Sequence, residues 1–162
     1  MSHTVRLCAV LLSVSVSSAA WAVDPAAQAF LDGVYAPYRA ESDGVDLGSK
    51  AQVARLFTPS MAALIAKDNA EAAKTGMYGR LDVDPFIWGQ DWAPTKVTIA
   101  VRDGRRPDKA IGTAAYTVLG SRVSRRTVLD LSKRPAGWHV SDIRGAGQGS
   151  ESLRQILTGP LP

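Results

Sequence analysis

The hydrophobic period of this chain changes near its middle, and the change fixes its fold class. Up to Gly76 the apolar residues recur at helical spacing; from Thr95 to Ile143 they alternate one by one. A 3.6-residue period buries one stripe of a helix and a two-residue period buries one face of a strand. Helices therefore come first and consecutive strands follow. Strands joined by short turns pair antiparallel. The reading is α+β: N-terminal helices packed on one face of a curved, cone-like antiparallel sheet of about four strands, then a short C-terminal helix.

The first helix starts at Asp24, an N-cap residue, with Pro25 at its first position. Ala27, Phe30, Leu31, Val34, Tyr35 and Tyr38 give it one apolar face, and Pro37 is expected to bend or end it near Tyr38. Asp43 to Gly48 is a loop, and Ser49 to Phe57 a short helix. Thr58-Pro59 starts a longer helix with Met61, Leu64, Ile65 and Ala72 on one face, Lys67, Glu71 and Lys74 in water, and Gly76 as its C-cap. Strands are expected from Thr95 to Val101, Ala110 to Leu119, Val123 to Leu131 and Trp138 to Ile143. The turns between them are Asp103-Gly104 with the basic loop to Asp108, Gly120-Ser121, and Lys133 to Gly137. Gly145 to Gly149 reads as a linker, and Ser150 as the cap of a helix carrying Leu153, Ile156 and Leu157.

Residues 1–22 are a separate object. Arg6 is followed by an apolar run from Leu7 to Val16 and then by Ala20-Trp21-Ala22. This is the pattern of a secretory signal peptide cut after Ala22, and the run is too short to span a bilayer. The expected mature domain is 23–162, periplasmic or secreted, with no membrane span. It carries no cysteine, because Cys8 leaves with the leader, so its core alone must hold it. Its charge is +3, with 18 basic residues against 15 acidic once Arg6 is gone. That balance and export argue against nucleic acid. Arg122, Arg125 and Arg126 cluster early in the third strand, with Arg125 on the face opposite the other two. Such a cluster reads as a solvated face or an anionic contact.

His139 is the only histidine of the mature chain. One histidine and no cysteine exclude the usual zinc cage and a cysteine nucleophile. No G-x-S-x-G elbow accompanies it. On a strand His139 takes the face opposite Trp138. No metal or cofactor is expected. The stretch richest in candidate chemistry is Asp82 to Trp92, between the helical and strand halves. It holds three carboxylates, Asp82, Asp84 and Asp91, with Phe86, Trp88, Gln90 and Trp92 among them. The acids have two readings: an acid/base pair, or caps for loop amides. The run lacks the order of a calcium loop. The aromatics suit core packing equally with a sugar, peptide or protein contact.

The leader followed by Phe30-Leu31, Tyr35 and Tyr38, together with Leu56-Phe57-Thr58, Asp84-Pro85-Phe86 with Gln90-Asp91, and Gly137 to Ile143, resembles a family of small exported bacterial proteins of uncharacterised function. That family is similar to the nuclear-transport-factor-2-like, or cystatin-like, α+β cone. The resemblance implies a pocket between helix and curved sheet. Related cones host enzymes, binding domains and toxin-neutralising partners, so it does not choose a function. The expectation is an envelope binding or interaction module for an unknown protein or small ligand, with Asp84, Phe86, Trp88, Gln90, Asp91, Trp92 and His139 as candidate contacts. The alternative is a small hydrolase or isomerase using Asp84 or Asp91 with His139. Within the stretch, Asp84 is expected to serve function and Asp91 to cap amides.

Overall fold

The computed structural model describes residues 24–40, 43–76, 79–90, 94–118, 120, 123–145 and 151–161. The leader, Asp91, Trp92, Arg122 and Ser150 lie outside the described residues. Four helices, α1 (Pro25–Arg39), α2 (Lys50–Leu56), α3 (Pro59–Thr75) and α4 (Leu153–Thr158), accompany strands β1 (Pro94–Asp103), β2 (Lys109–Val118), β3 (Ser124–Arg134) and β4 (Gly137–Gly145). The strands form one antiparallel sheet in the order β1-β2-β3-β4. Among the described residues no helix is long and apolar enough to cross a membrane.

The helix ends follow their local chemistry. Asp24 caps α1 by accepting the Ala26 N–H, and Pro25 occupies the first turn. Ser49 caps α2, and α3 ends at Gly76 in the left-handed conformation, φ 66°. Several expected boundaries move: α1 runs past Pro37 to Arg39, β1 reaches Asp103, and β4 reaches Gly145. The cap of α4 is Ser152, not Ser150: its hydroxyl accepts from Gln155 N–H while the Gln155 side chain accepts from Ser152 N–H. The third strand runs on to Arg134, so the turn shrinks to Pro135-Ala136. Gly137 makes this possible with φ 118°, which a side chain resists.

One face of the sheet is buried beneath the helices. It presents Ala110, Ala114 and Tyr116 of β2, Leu129 and Leu131 of β3, and Trp138, Val140 and Ile143 of β4. Their partners on α1 are the stripe Ala27, Leu31, Val34, Tyr35 and Tyr38. Gly112 lets α1 approach closely: a Cβ there would lie 2.1 Å from Leu31 Cδ1. The outer edge of β4 is covered by the α2–α3 junction, where Thr58 N–H donates to Val140 O at 2.9 Å. On β1, a bulge at Lys96 (φ 52°) and Val97 interrupts pairing opposite Tyr116.

Trp138 locks the start of β4 to the start of α1. It is 5% exposed, and its indole N–H donates to the capping carboxylate of Asp24 at 3.2 Å. Lys133 donates to the same oxygen at 2.7 Å. Trp138→Ala is expected to cost about 3–5 kcal/mol in urea unfolding, as large aromatic truncations in cores do. A loss below about 0.5 kcal/mol, the range of surface sites, would contradict this packing.

Candidate functional site

Between α3 and β1 the chain folds a tight turn, Asp84-Pro85-Phe86-Ile87-Trp88-Gly89, into the core. Proline at 85 holds Asp84 out of helix. The turn closes through Asp84 N–H to Gly89 O at 2.9 Å and Ile87 N–H to Asp84 O at 3.3 Å. Asp84 Oδ1 accepts the Phe86 N–H at 2.8 Å, the usual side-chain mimic of a backbone turn. Phe86 is fully buried and Ile87 4% exposed. The Phe86 ring meets Tyr35 edge-on at 6.1 Å and sits 5.7 Å from Phe57 and 6.2 Å from Tyr38.

Three tyrosine hydroxyls reach into this turn from two elements. Tyr35 of α1 donates to Phe86 O at 2.9 Å. Tyr116 of β2 donates to Ile87 O at 2.6 Å. Tyr38 of α1 donates to Asp84 Oδ2 at 2.6 Å and accepts the Val45 N–H at 3.2 Å. Burial raises the pKa of all three phenols, and the neighbouring Asp84 charge adds to it, so all three stay protonated donors. Burial also raises Asp84 above its ordinary 3.8, opposed by the Tyr38 hydroxyl and the Phe86 amide. Trp88 completes the turn in the left-handed region, φ 43°, where a bulky residue is strained. Its half-buried ring lies against Gly145, where a Cβ would come within 3.2 Å of it. Its indole N–H is buried without a hydrogen-bond partner among the described residues.

The candidate residues thus divide. Asp84, Phe86 and Trp88 belong to the buried turn. Gln90 is exposed just beyond it, its amide donating to Asp82 O at 2.6 Å. Asp91 and Trp92 lie outside the described residues. His139 pairs with Ser132 on the face away from the helices, its Nδ1 3.1 Å from Gly137 O. It is six residues along β4 from Gly145, which Trp88 touches, or about 20 Å at the rise of a strand. The structure does not bring His139 to Asp84. Of the arginine cluster, Arg125 stands opposite Tyr116 and Arg126 opposite Ala115, so the two point to opposite faces.

The residue preceding the turn opens outward. Leu81, Asp82 and Val83 form one wall of a surface cleft of about 280 Å³. Val45 and Leu47 form another, and Ile65, Asp68, Asn69 and Leu157 complete it. Its frame is rigid. Asp68, 4% exposed, accepts from the amides of Arg80 (2.9 Å) and Leu81 (3.3 Å) and from the Arg80 guanidinium (3.1 Å). Arg80 also pairs with Glu71 and donates to Gly159 O at 2.7 Å, tying α3 to the end of α4. Gly79 is required beside Asp68, since a Cβ would sit 2.4 Å from Oδ2. Asn69 donates to Leu47 O at 2.9 Å and fixes the facing loop. Sequence reasoning missed this cleft. Its signal was Asp68, a carboxylate three residues after Ile65 and four before Ala72, on the apolar face of α3.

No family model, curated protein or solved structure matches the chain.

The Asp84 contacts have measurable consequences. Asp84→Ala removes the acceptor of both the Phe86 N–H and the Tyr38 O–H, and is expected to cost about 2–4 kcal/mol in urea unfolding. The pH dependence has a definite sign. Folded Asp84 holds its proton more tightly than the unfolded chain, whose value is near 3.8. Its contribution to stability is therefore largest at low pH, falls as pH rises above that value, and levels off above the folded pKa. The stability of the native sequence minus that of Asp84→Asn should decline over this window. A difference that grows with pH would contradict the geometry.

Proposed function

We propose that the protein is an exported binding or protein-interaction module of the cell envelope, periplasmic or secreted, whose partner is a protein or a small ligand. The carrying observation is that the turn Asp84–Gly89 fills the space between helices and sheet. Both Asp84 oxygens serve as acceptors within the fold. A group held this way is poorly placed to reach a substrate, whereas the cleft beside it is open. Inclusion in the nuclear-transport-factor-2-like superfamily is part of the same proposal. The order of helices before an antiparallel meander supports it. In such a cone, this chain would occupy its own pocket.

One observation favours the second reading, a small hydrolase or isomerase. Asp84 has a raised pKa in a partly buried site, as general acids and bases often have. The separation of His139 weighs against the pair that this reading needs. Affinity capture with residues 23–162 from periplasmic extract decides between them. The binding reading expects a specific partner retained by the folded protein and lost after unfolding it. Turnover of a substrate that vanishes in a folded Asp84→Asn protein, with nothing captured, would overturn it.

A further inference from the structure

The cleft outside the turn has the size and chemistry of an anchor site, and none of the described residues fills it. At about 280 Å³ it falls just below the range of pockets that enclose a whole small ligand, roughly 300–1,000 Å³. It suits one large apolar side chain. Leu47, Ile65, Leu81 and Leu157 offer apolar surface for it. The polar groups differ in how they are occupied. Asp68 is satisfied by two amides and Arg80. Asp82 is exposed on the wall, and its carboxylate makes no ion pair among the described residues. Among the described residues, none of those lining the cleft is basic, in a chain whose net charge is +4. The mouth of the cleft is thus negative against a positive whole. A neighbouring carboxylate on the partner would be repelled there and a cation drawn in.

The site is also pre-organised. Gln90 holds the Asp82 carbonyl, Asn69 holds Leu47, and Arg80, behind the lining, braces Asp68. Little order has to be gained on binding, which is what lets a small patch act as a hot spot. We propose that this cleft docks a partner polypeptide through one large apolar side chain with a lysine or arginine next to it, Asp82 selecting the cation. The assignment rests on the binding-module reading and names its surface. It gives the stretch Asp82 to Gln90 two duties, with Phe86 and Ile87 inside and Asp82 and Val83 outside.

The test uses an isotopically labelled mature chain and amide NMR shifts, with N-acetyl-phenylalanyl-lysine amide as probe. Control probes replace lysine by glutamate, or phenylalanine by alanine. The lysine probe is expected to move the amides of Asn69, Leu81, Asp82 and Val83. It should bind about two- to fivefold more tightly than the glutamate probe, the scale of an exposed ion pair. Asp82→Asn, an exposed change that the fold tolerates, should bring the two to parity, and Val83→Phe should block both. Equal binding of both probes to the native sequence, or shifts confined to another surface, would overturn the proposal. So would phenethylamine binding as tightly as the dipeptide, which would make a small amine the occupant. Full capture of the native partner by Val83→Phe would overturn the cleft assignment alone and leave the binding-module reading standing.

Discussion

The structure depends on burying a stretch of irregular backbone. The turn Asp84–Gly89 enters the core, where every unpaired carbonyl is costly. The hydroxyls of Tyr35 and Tyr116 meet that demand at Phe86 O and Ile87 O, the hydroxyl of Tyr38 binds the Asp84 carboxylate, and the three rings supply apolar area. Because two of them stand on α1 and one on β2, the turn joins the helical half to the sheet. Phenylalanine at 35 or 116 would fill the same volume and leave a carbonyl unpaired; at 38 it would leave Asp84 Oδ2 and the Val45 amide without this partner. Asp84 serves the same end at the turn's entrance, bonding the Phe86 amide on one side and Tyr38 on the other.

The same stretch changes character within two residues. Pro85 and the Asx contact turn Asp84 inward, while Asp82 and Val83 stay at the surface and form the wall of the cleft. The opposite wall is held by the α3 residue Asn69, and the floor by the Asp68–Arg80–Glu71 network reaching Gly159. A partner meeting the cleft would meet a surface already fixed by the fold. Trp88 is the strained element of the arrangement, with its positive φ and its ring pressed to Gly145. Turning the chain so sharply leaves it little alternative.

Local chemistry carried most of the architecture in readable form. Asp24-Pro25 and Gly76 mark helix ends by capping, and the alternation of Val97, Ile99 and Val101 marks a strand; each acts within a few residues. Some boundary errors fell on local signals as well. Ser152, not Ser150, caps the last helix because Gln155, three residues on, closes a capping box with it. The β3–β4 turn tightens because Gly137 adopts φ 118°. At the candidate site, the composition of Asp82 to Gln90 signalled a special segment. It did not say which acid faces inward, since that follows from Tyr38, 46 residues away. His139 looked like a possible helper to Asp84 from its residue type alone; strand direction puts it far along β4. Asp68 was visible as a carboxylate on an apolar helix face, but its partner Arg80 lies in a loop with no periodicity to point to it.

The central claim, that the turn is core rather than loop, is tested most directly by native-state hydrogen exchange at single amides. The Phe86 and Asp84 N–H groups are bonded inside the turn, to Asp84 Oδ1 and Gly89 O. Their opening free energies should approach those of central strand amides such as Leu129, so that they exchange only when the whole molecule unfolds. Exchange as fast as in the exposed loop at Arg105 and Arg106 would contradict the account, because it would mean the turn opens without the core.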